Sequence, residues 1–402
     1  MESLRELYRI GTGPSSSHTM GPEYASRLFK QTYPNAPGGY VVTLYGSLAK
    51  TGKGHLTDEI IKKVFSPSNI QVVFMNGMDD VLKHPNTMVL EAFDGENNCI
   101  DAWTVYSVGG GKIQIEGKPE ASAESIYPLT TFAEIKDYCM DNDLKLSDYV
   151  REIEGDDIYD YLAEVWDTMK SAIRRGLKAE GTLAGGLNVT RRARILFQQH
   201  HIDESDATRE NRLVCAYAFA VSEENASGGK IVTAPTCGSC GVVPAVLYYE
   251  QQKRHFSDRQ VLRALAAGGL VGNIIKNNAS ISGAECGCQA EIGSACSMAA
   301  AALGELFGME LDQIEYAAEV AMEHHLGLTC DPINGLVQIP CIERNAVAAM
   351  RAINALDLAN FLTYSRKISF DVVVKTMYET GKDLFSKYKE TAEGGLAKTY
   401  YE

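Results

Sequence analysis

The chain has no excess of basic charge. It carries 38 Lys and Arg against 52 Asp and Glu, a formal net charge of −14, whereas binding a phosphate backbone needs clustered cations. No nucleic-acid partner is expected, and the densest basic group, Arg191, Arg192 and Arg194, reads as a solvated helix face. No apolar run reaches the roughly 18 residues of a membrane-spanning helix, so no membrane partner is expected either. The first residues, MESLRELYRIG, are charged where an export leader would need an apolar core. The expected setting is therefore cytoplasmic, with the ten cysteines reduced and available as buried thiols or metal ligands. A second Cys-x-x-Cys at zinc-ribbon spacing is missing, and no repeat recurs at a fixed period.

What is present reads as a globular protein of two or three domains, with 45% apolar and 22% charged residues in 402. Tyr40–Tyr45, Ile70–Phe74, Met88–Leu90 and Trp103–Ser107 have the composition of strands, and Asp58–Phe65 has helical spacing. From about Thr130 the pattern turns helical and acidic over Phe132–Asn142, Leu146–Ile153 and Tyr159–Leu177. Helices are expected over Asn211–Glu223, Val242–Gln252, Asp258–Ile275, Ile292–Leu306, Leu311–Leu326, Cys341–Leu362 and Phe370–Thr380. The expected fold is an α+β N-terminal domain over residues 1–150, a solvated helical connector over 151–182 and a mostly all-α domain over 183–402.

Four Gly- or Pro-framed segments carry side chains suited to chemistry. Ser15, Ser16, Ser17, His18 and Thr19 lie between Gly13-Pro14 and Gly21-Pro22. That is more hydroxyl than a helix cap needs, and hydroxyls with helix N-terminal amides can hold a carboxylate. Thr51-Gly-Lys-Gly-His55-Leu-Thr57 invites a P-loop reading that fails: five residues, not four, separate Gly46 from Gly52, and Gly54 stands where Ser or Thr would bind magnesium. His55 and Thr57 remain polar candidates in a Gly frame. Ser107 and Gly109 belong to YSVGGG at a strand end, where glycines let backbone approach a ligand. Thr236 belongs to TAPTCGSCG, a polar loop leading into a helix.

The fifth set is Cys288, Cys330 and Cys341, which stand 42 and 11 positions apart, each in a Gly- or Pro-bearing segment. Three thiolates around one metal centre would leave a position open to substrate, as catalytic centres do. Cys286 and Cys296 lie close by in sequence, so spacing alone does not choose the ligands.

Taken together, GPSSSHTMGP, TGKGHLTD, YSVGGG, ASGGKIVTAPT, GCQAEIGSACSMAAA and GLTCDPINGLVQIPCIERN resemble the bacterial iron–sulfur-dependent L-serine dehydratases, in the form that fuses β and α parts in one chain. The likeness runs from residue 4 to about 395. It implies a lyase of amino-acid catabolism that converts L-serine to pyruvate and ammonia. It further implies a 4Fe–4S cluster on Cys288, Cys330 and Cys341 with one iron open, an N-terminal domain like a regulatory serine-binding domain, and an all-α catalytic domain. His55, His18 and Thr57 become the catalytic candidates, with one of the two histidines as base. Ser15, Ser16, Ser17, Thr19, Ser107, Gly109 and Thr236 become substrate-binding candidates. A homodimer is the expected assembly.

Two features depart from the resemblance. Some relatives end in a cysteine that reaches the resting cluster, but no cysteine follows Cys341 here, so water or another group is expected to cap the open iron. Cys237 stands where relatives often have Asn. A cysteine desulfidase of the same cluster chemistry, a non-catalytic amino-acid sensor and a zinc-bound structural protein are the competing readings.

Overall fold

The computed structural model describes residues 1–77, 82–118, 125–199, 202–362 and 365–401. The chain opens with the strand β1 (Ile10–Thr12), a hydroxyl-rich turn and α1 (Gly21–Thr32). There follow β2 (Gly39–Tyr45), α2 (Gly46–Thr51), α3 (Thr57–Phe65), β3 (Ile70–Met75), β4 (Thr87–Phe93), β5 (Cys99–Gly109) and β6 (Lys112–Ile115). The sheet order is β3-β2-β4-β5-β6. β2 and β3 are parallel, joined through α2 and α3, and the other neighbours pair antiparallel. Period-two alternation sends Tyr40, Val42, Leu44, Met88, Leu90, Ala92, Trp103 and Val105 to one face. There they pack with Phe29 of α1 and with Ile61 and Phe65 of α3.

The rest is helical. α4 (Phe132–Asp141), α5 (Leu146–Glu154), α6 (Asp157–Gly176), α7 (Ala193–Gln198) and α8 (Asp206–Ala226) lead to a three-residue strand, β7 (Lys230–Val232). Then come α9 (Val242–Arg254), α10 (Asp258–Asn278), α11 (Gly283–Cys286), α12 (Ser294–Phe307), α13 (Leu311–Glu323), α14 (Cys341–Leu362), α15 (Phe370–Asp383) and α16 (Gly395–Thr399). Starts are marked by side-chain caps: Thr131 and Glu134 form a capping box on α4, and Ser205, Ser257 and Ser369 cap α8, α10 and α15. The acidic stretch seen in the sequence is amphipathic. Its carboxylates lie mainly outward, while Phe132, Ile135, Val150, Leu162, Trp166 and Ile173 are buried in the helical core.

The α+β-then-helical class read from the sequence is the class observed. What that reading omitted are β1 and β7, which pair antiparallel with Ile10 opposite Val232 and Thr12 opposite Lys230. Three-residue strands have no detectable period, and these partners are more than two hundred positions apart. The four-residue β6 was missed for the same reason. α8 begins at Asp206 rather than Asn211 because Ser205 supplies its cap. Residues 1–8 pack among the helices: Leu4, Leu7 and Tyr8 are fully buried in the helical core, and the Tyr8 hydroxyl donates to the Leu265 carbonyl at 3.0 Å.

Small residues let the central helices touch. Ala299, Ala300, Ala301 and Ala302 of α12 are fully buried, and a Cβ on Gly268 of α10 would lie 2.7 Å from the Met298 carbonyl oxygen. Gly-to-Ala within a helix ordinarily stabilises by about 1 kcal/mol. At position 268 the backbone contact reverses the sign: Gly268→Ala is expected to destabilise by about 1–3 kcal/mol, read as a lower midpoint in denaturant unfolding. A raised midpoint would show that the two helices are not in backbone contact.

Candidate active site

The hydroxyl loop is held in place by its own side chains and by both parts of the fold. Ser15 caps the turn over Ser16–Met20, its Oγ accepting from the His18 amide at 3.1 Å. The Cys237 amide donates to Ser16 Oγ at 2.9 Å, and Asn225 Nδ2 donates to the Pro14 carbonyl at 3.0 Å. On the sheet side, Thr57 Oγ1 donates to the His18 carbonyl at 2.6 Å and Ser107 Oγ to the Ser17 carbonyl at 2.7 Å. Thr19 Oγ1 donates to the His55 carbonyl at 2.7 Å. A Cβ on Gly21 would stand 2.2 Å from Ser107 Oγ, so only glycine lets β5 approach this turn.

The two histidines lie against each other, ring centres 4.4 Å apart, each only 1% exposed. Their nitrogens differ in use. His18 is held at both ends, Nδ1 by Ser17 Oγ and Nε2 by Ser47 Oγ, each at 2.9 Å. His55 Nδ1 lies 3.1 Å from the Thr51 carbonyl, which can only accept, so Nδ1 carries the proton and Nε2 the lone pair. His55 Nε2 is buried and has no partner. Burial pushes His55 down to about 4, partly opposed by the Thr51 hydrogen bond. Burial, then the neighbouring His55, holds His18 well below its ordinary range.

The three cysteines come from separate segments. Cys288 precedes a turn of π-helix, Gln289–Gly293, in which the Gln289 side chain bonds the Cys286 and Met377 carbonyls and the Gly327 amide. The Cys330 amide donates to the Tyr388 carbonyl, and its carbonyl accepts from the Glu390 amide, both at 2.8 Å. Cys341 opens α14, and one turn on Arg344 bonds the Thr329 carbonyl at 2.7 Å and Asp331 at 3.2 Å. A hydrogen bond with Cys330, aided by Arg344, holds the Cys288 thiol below its ordinary range against burial. The same bond and burial push Cys330 up, and burial pushes up Cys341.

All these walls face one cavity of about 580 Å³, its open mouth included. Cys288, Cys330, Cys341 and His55 line it, with Ser15, Ser16, Ser17, Gly109 and Thr236. Thr19, Thr57, Ser107 and His18 do not; they stand behind the wall and orient it. Cys286 and Cys296 are buried elsewhere, against Gly381 and the Ala348 carbonyl respectively. Cys237 Sγ faces Met20 Sδ at 3.3 Å rather than the cavity.

Comparison with known proteins identifies the family. Residues 3–66 match the serine dehydratase beta chain family and residues 85–397 the serine dehydratase alpha chain family. The chain is 40% identical to an L-serine dehydratase of Haemophilus influenzae over 99% of both chains. It is 41% identical to an L-serine dehydratase of Streptomyces coelicolor over 100% of this chain and 99% of that one. It belongs to the serine dehydratase family. L-serine dehydratase 2 of Escherichia coli is a further relative, 40% identical over 99% of this chain and 98% of its own.

For a serine dehydratase, the cavity has two carboxyl groups that sequence reading passed over. Glu291 lines it one turn beyond Cys288, its Oε1 accepting from Thr236 Oγ1 at 2.7 Å. The i, i+3 spacing from Cys288 was a usable signal. Glu390 arrives from the C-terminal segment, and nothing in its local sequence marks it. Burial raises Glu291, opposed by Thr236 and Arg344. Burial, with the charges of Glu291 and Cys288, pushes Glu390 up to about 8.

The cavity also suits a metal group. Three thiols face one space, and a Cβ on Gly283 would stand 3.2 Å from Cys330 Sγ, so glycine keeps that space clear. Among the described residues no three Cys, His or carboxylate side chains converge on a single-ion position. An iron–sulfur cluster takes one thiolate per iron, so Cys288, Cys330 and Cys341 are the residues that would hold one.

Unfolding returns both imidazoles to ordinary proton affinity, near 6.5. Below that pH the unfolded chain binds protons that the folded chain refuses, so stability falls as pH drops. For His55 the window runs from about 6.5 to about 4, at up to roughly 1.4 kcal/mol per pH unit. Denaturant unfolding at stepped pH should show this slope, and His55→Gln should flatten it. An unchanged slope in that variant would remove His55 as its source.

Proposed function

We propose that this chain dehydrates and deaminates L-serine to pyruvate and ammonia, with a 4Fe–4S cluster held on Cys288, Cys330 and Cys341. The observation that carries the reading is the meeting, in one cavity, of three thiols, an unpartnered imidazole nitrogen and a hydroxyl loop. When bound, the cluster supplies a Lewis-acidic iron that makes the substrate hydroxyl a better leaving group.

The chain's own residues do the rest. Ser15, Ser16 and Ser17 line the same cavity as the cysteines and hold the substrate carboxylate. His55 Nε2 takes the α-proton: it carries a lone pair without a partner, belongs to a residue that lines the cavity, and stays neutral at neutral pH. His18 is the positioning partner, since both its nitrogens are engaged and its ring backs His55. Thr57, Thr19 and Ser107 position the two loops through backbone carbonyls, and Gly109 and Thr236 complete the wall. Loss of the α-proton and hydroxide leaves water and aminoacrylate, which tautomerises and is hydrolysed to pyruvate and ammonia. The homodimer and the cytoplasmic setting belong to the same proposal. All ten cysteines are unpaired, as a reducing compartment requires.

Anaerobically purified protein should be brown and release pyruvate from L-serine. Greater release from L-cysteine would favour the desulfidase reading, and release from neither would overturn the proposal. Replacing Cys288, Cys330 or Cys341 with Ala should abolish both colour and turnover; a variant that keeps both refutes that ligand. His55→Ala should keep the absorbance while turnover drops by roughly 10²–10⁴-fold, the usual worth of a general base. Unchanged turnover would exclude His55 as base.

A further inference from the structure

The roles given above leave one charged group of L-serine without a partner, its α-ammonium. The cavity offers carboxylates for it. Glu291 points Oε1 at Thr236 and leaves Oε2 beside Gly283, where a Cβ would lie 2.7 Å from it; a Cβ on Gly238 would lie 3.1 Å from Oε1 and 3.5 Å from Oε2. The same Gly283 position is 3.2 Å from Cys330 Sγ, which sets the free oxygen at the cysteine end of the cavity. Glu390 lines that cavity from the C-terminal segment, its amide bonded to the Cys330 carbonyl.

Neither carboxylate enters an ion pair among the described residues. The guanidinium of Arg344 is bonded to Thr329 and Asp331. A second, independent observation marks the space as a ligand site: the buried Nε2 of His55, 1% exposed as a residue, has no partner in it. A cavity lined both by hydroxyls and by two carboxyl groups without an ion partner is complementary to a zwitterionic amino acid, not to a plain hydroxy acid.

We infer that Glu291 is the acceptor for the substrate α-ammonium, with Glu390 as the second carboxylate of that subsite. The inference rests on the L-serine reading and names the feature that selects an amino acid. 3-Hydroxypropionate keeps the carboxylate and the leaving hydroxyl and lacks only the ammonium, so it isolates the contact.

The test is anaerobic titration of cluster-loaded protein with L-serine and with 3-hydroxypropionate, followed by visible absorbance. Wild type should bind L-serine at least tenfold more tightly. Glu291→Gln should lose about 10- to 100-fold in L-serine affinity, the worth of a charge-assisted hydrogen bond, with 3-hydroxypropionate unchanged. In turnover the loss should fall first on KM. Retained discrimination in Glu291→Gln overturns the inference. Should that variant fail to load its cluster, wild type decides alone: equal affinity for both compounds overturns it as well. Absence of pyruvate formation by wild type would instead sink the L-serine reading, so the two failures are separable.

Discussion

The site depends on a strap. Residues 7–19 leave the helical core, pair as β1 with β7 and continue into the hydroxyl loop, so one short segment is bonded at once to helices and sheet. Thr233 donates to the Leu7 carbonyl at 2.6 Å and accepts from the Arg9 amide at 2.8 Å. Gly13 then bonds Gly229, and Asn225 and Cys237 bond Pro14 and Ser16. The far side of the loop is held by Thr57 and Ser107. Each bond is worth only about 1 kcal/mol net. Their effect is geometric: they bring a loop from one end of the chain and cysteines from the other to one cavity.

The strap explains why the segment is so rich in hydroxyls. A buried turn must satisfy its backbone groups without water. Here Ser15 of the turn accepts from the His18 amide, Thr57 and Ser107 donate from outside to the carbonyls of residues 18 and 17, and Thr19 donates in return to the His55 carbonyl. The same economy separates the histidines. Ser17 and Ser47 use both nitrogens of His18, whereas Thr51 uses only one of His55 and thereby specifies its tautomer. Position in the network, not residue type, decides which side chain is a strut and which is free for chemistry.

That distinction limits what the sequence disclosed. Strands and helices of ordinary length were legible from their periods, and the hydroxyl loop, His55 and the cysteines were legible as motifs because each sits in a Gly or Pro frame. Spacing alone did not separate Cys288 from Cys286 and Cys296. Only the fold shows Cys286 against Gly381 and Cys296 against α14, with Cys288 in the cavity. The β1–β7 pairing left no trace, since three residues carry no period. Glu390 was equally invisible: its place is set by a backbone bond to Cys330, sixty positions earlier, to which its own side chain contributes nothing.

The C-terminal segment adds a further constraint. Asp331 ties it down by accepting from the Leu396 amide at 2.8 Å, and a Cβ on Gly395 would stand 2.1 Å from the same carboxylate. Asp331 also accepts from Arg344, which acts on the Cys288 thiol. The segment that carries Glu390 is therefore coupled, through Cys330 on one side and Asp331–Arg344 on the other, to two of the three thiols. This route brings the Glu390 carboxyl to the cavity. A displacement at Glu390 would strain its backbone bond to Cys330, so the proposed recognition of the substrate's ammonium is tied through that bond to the geometry of the thiol set.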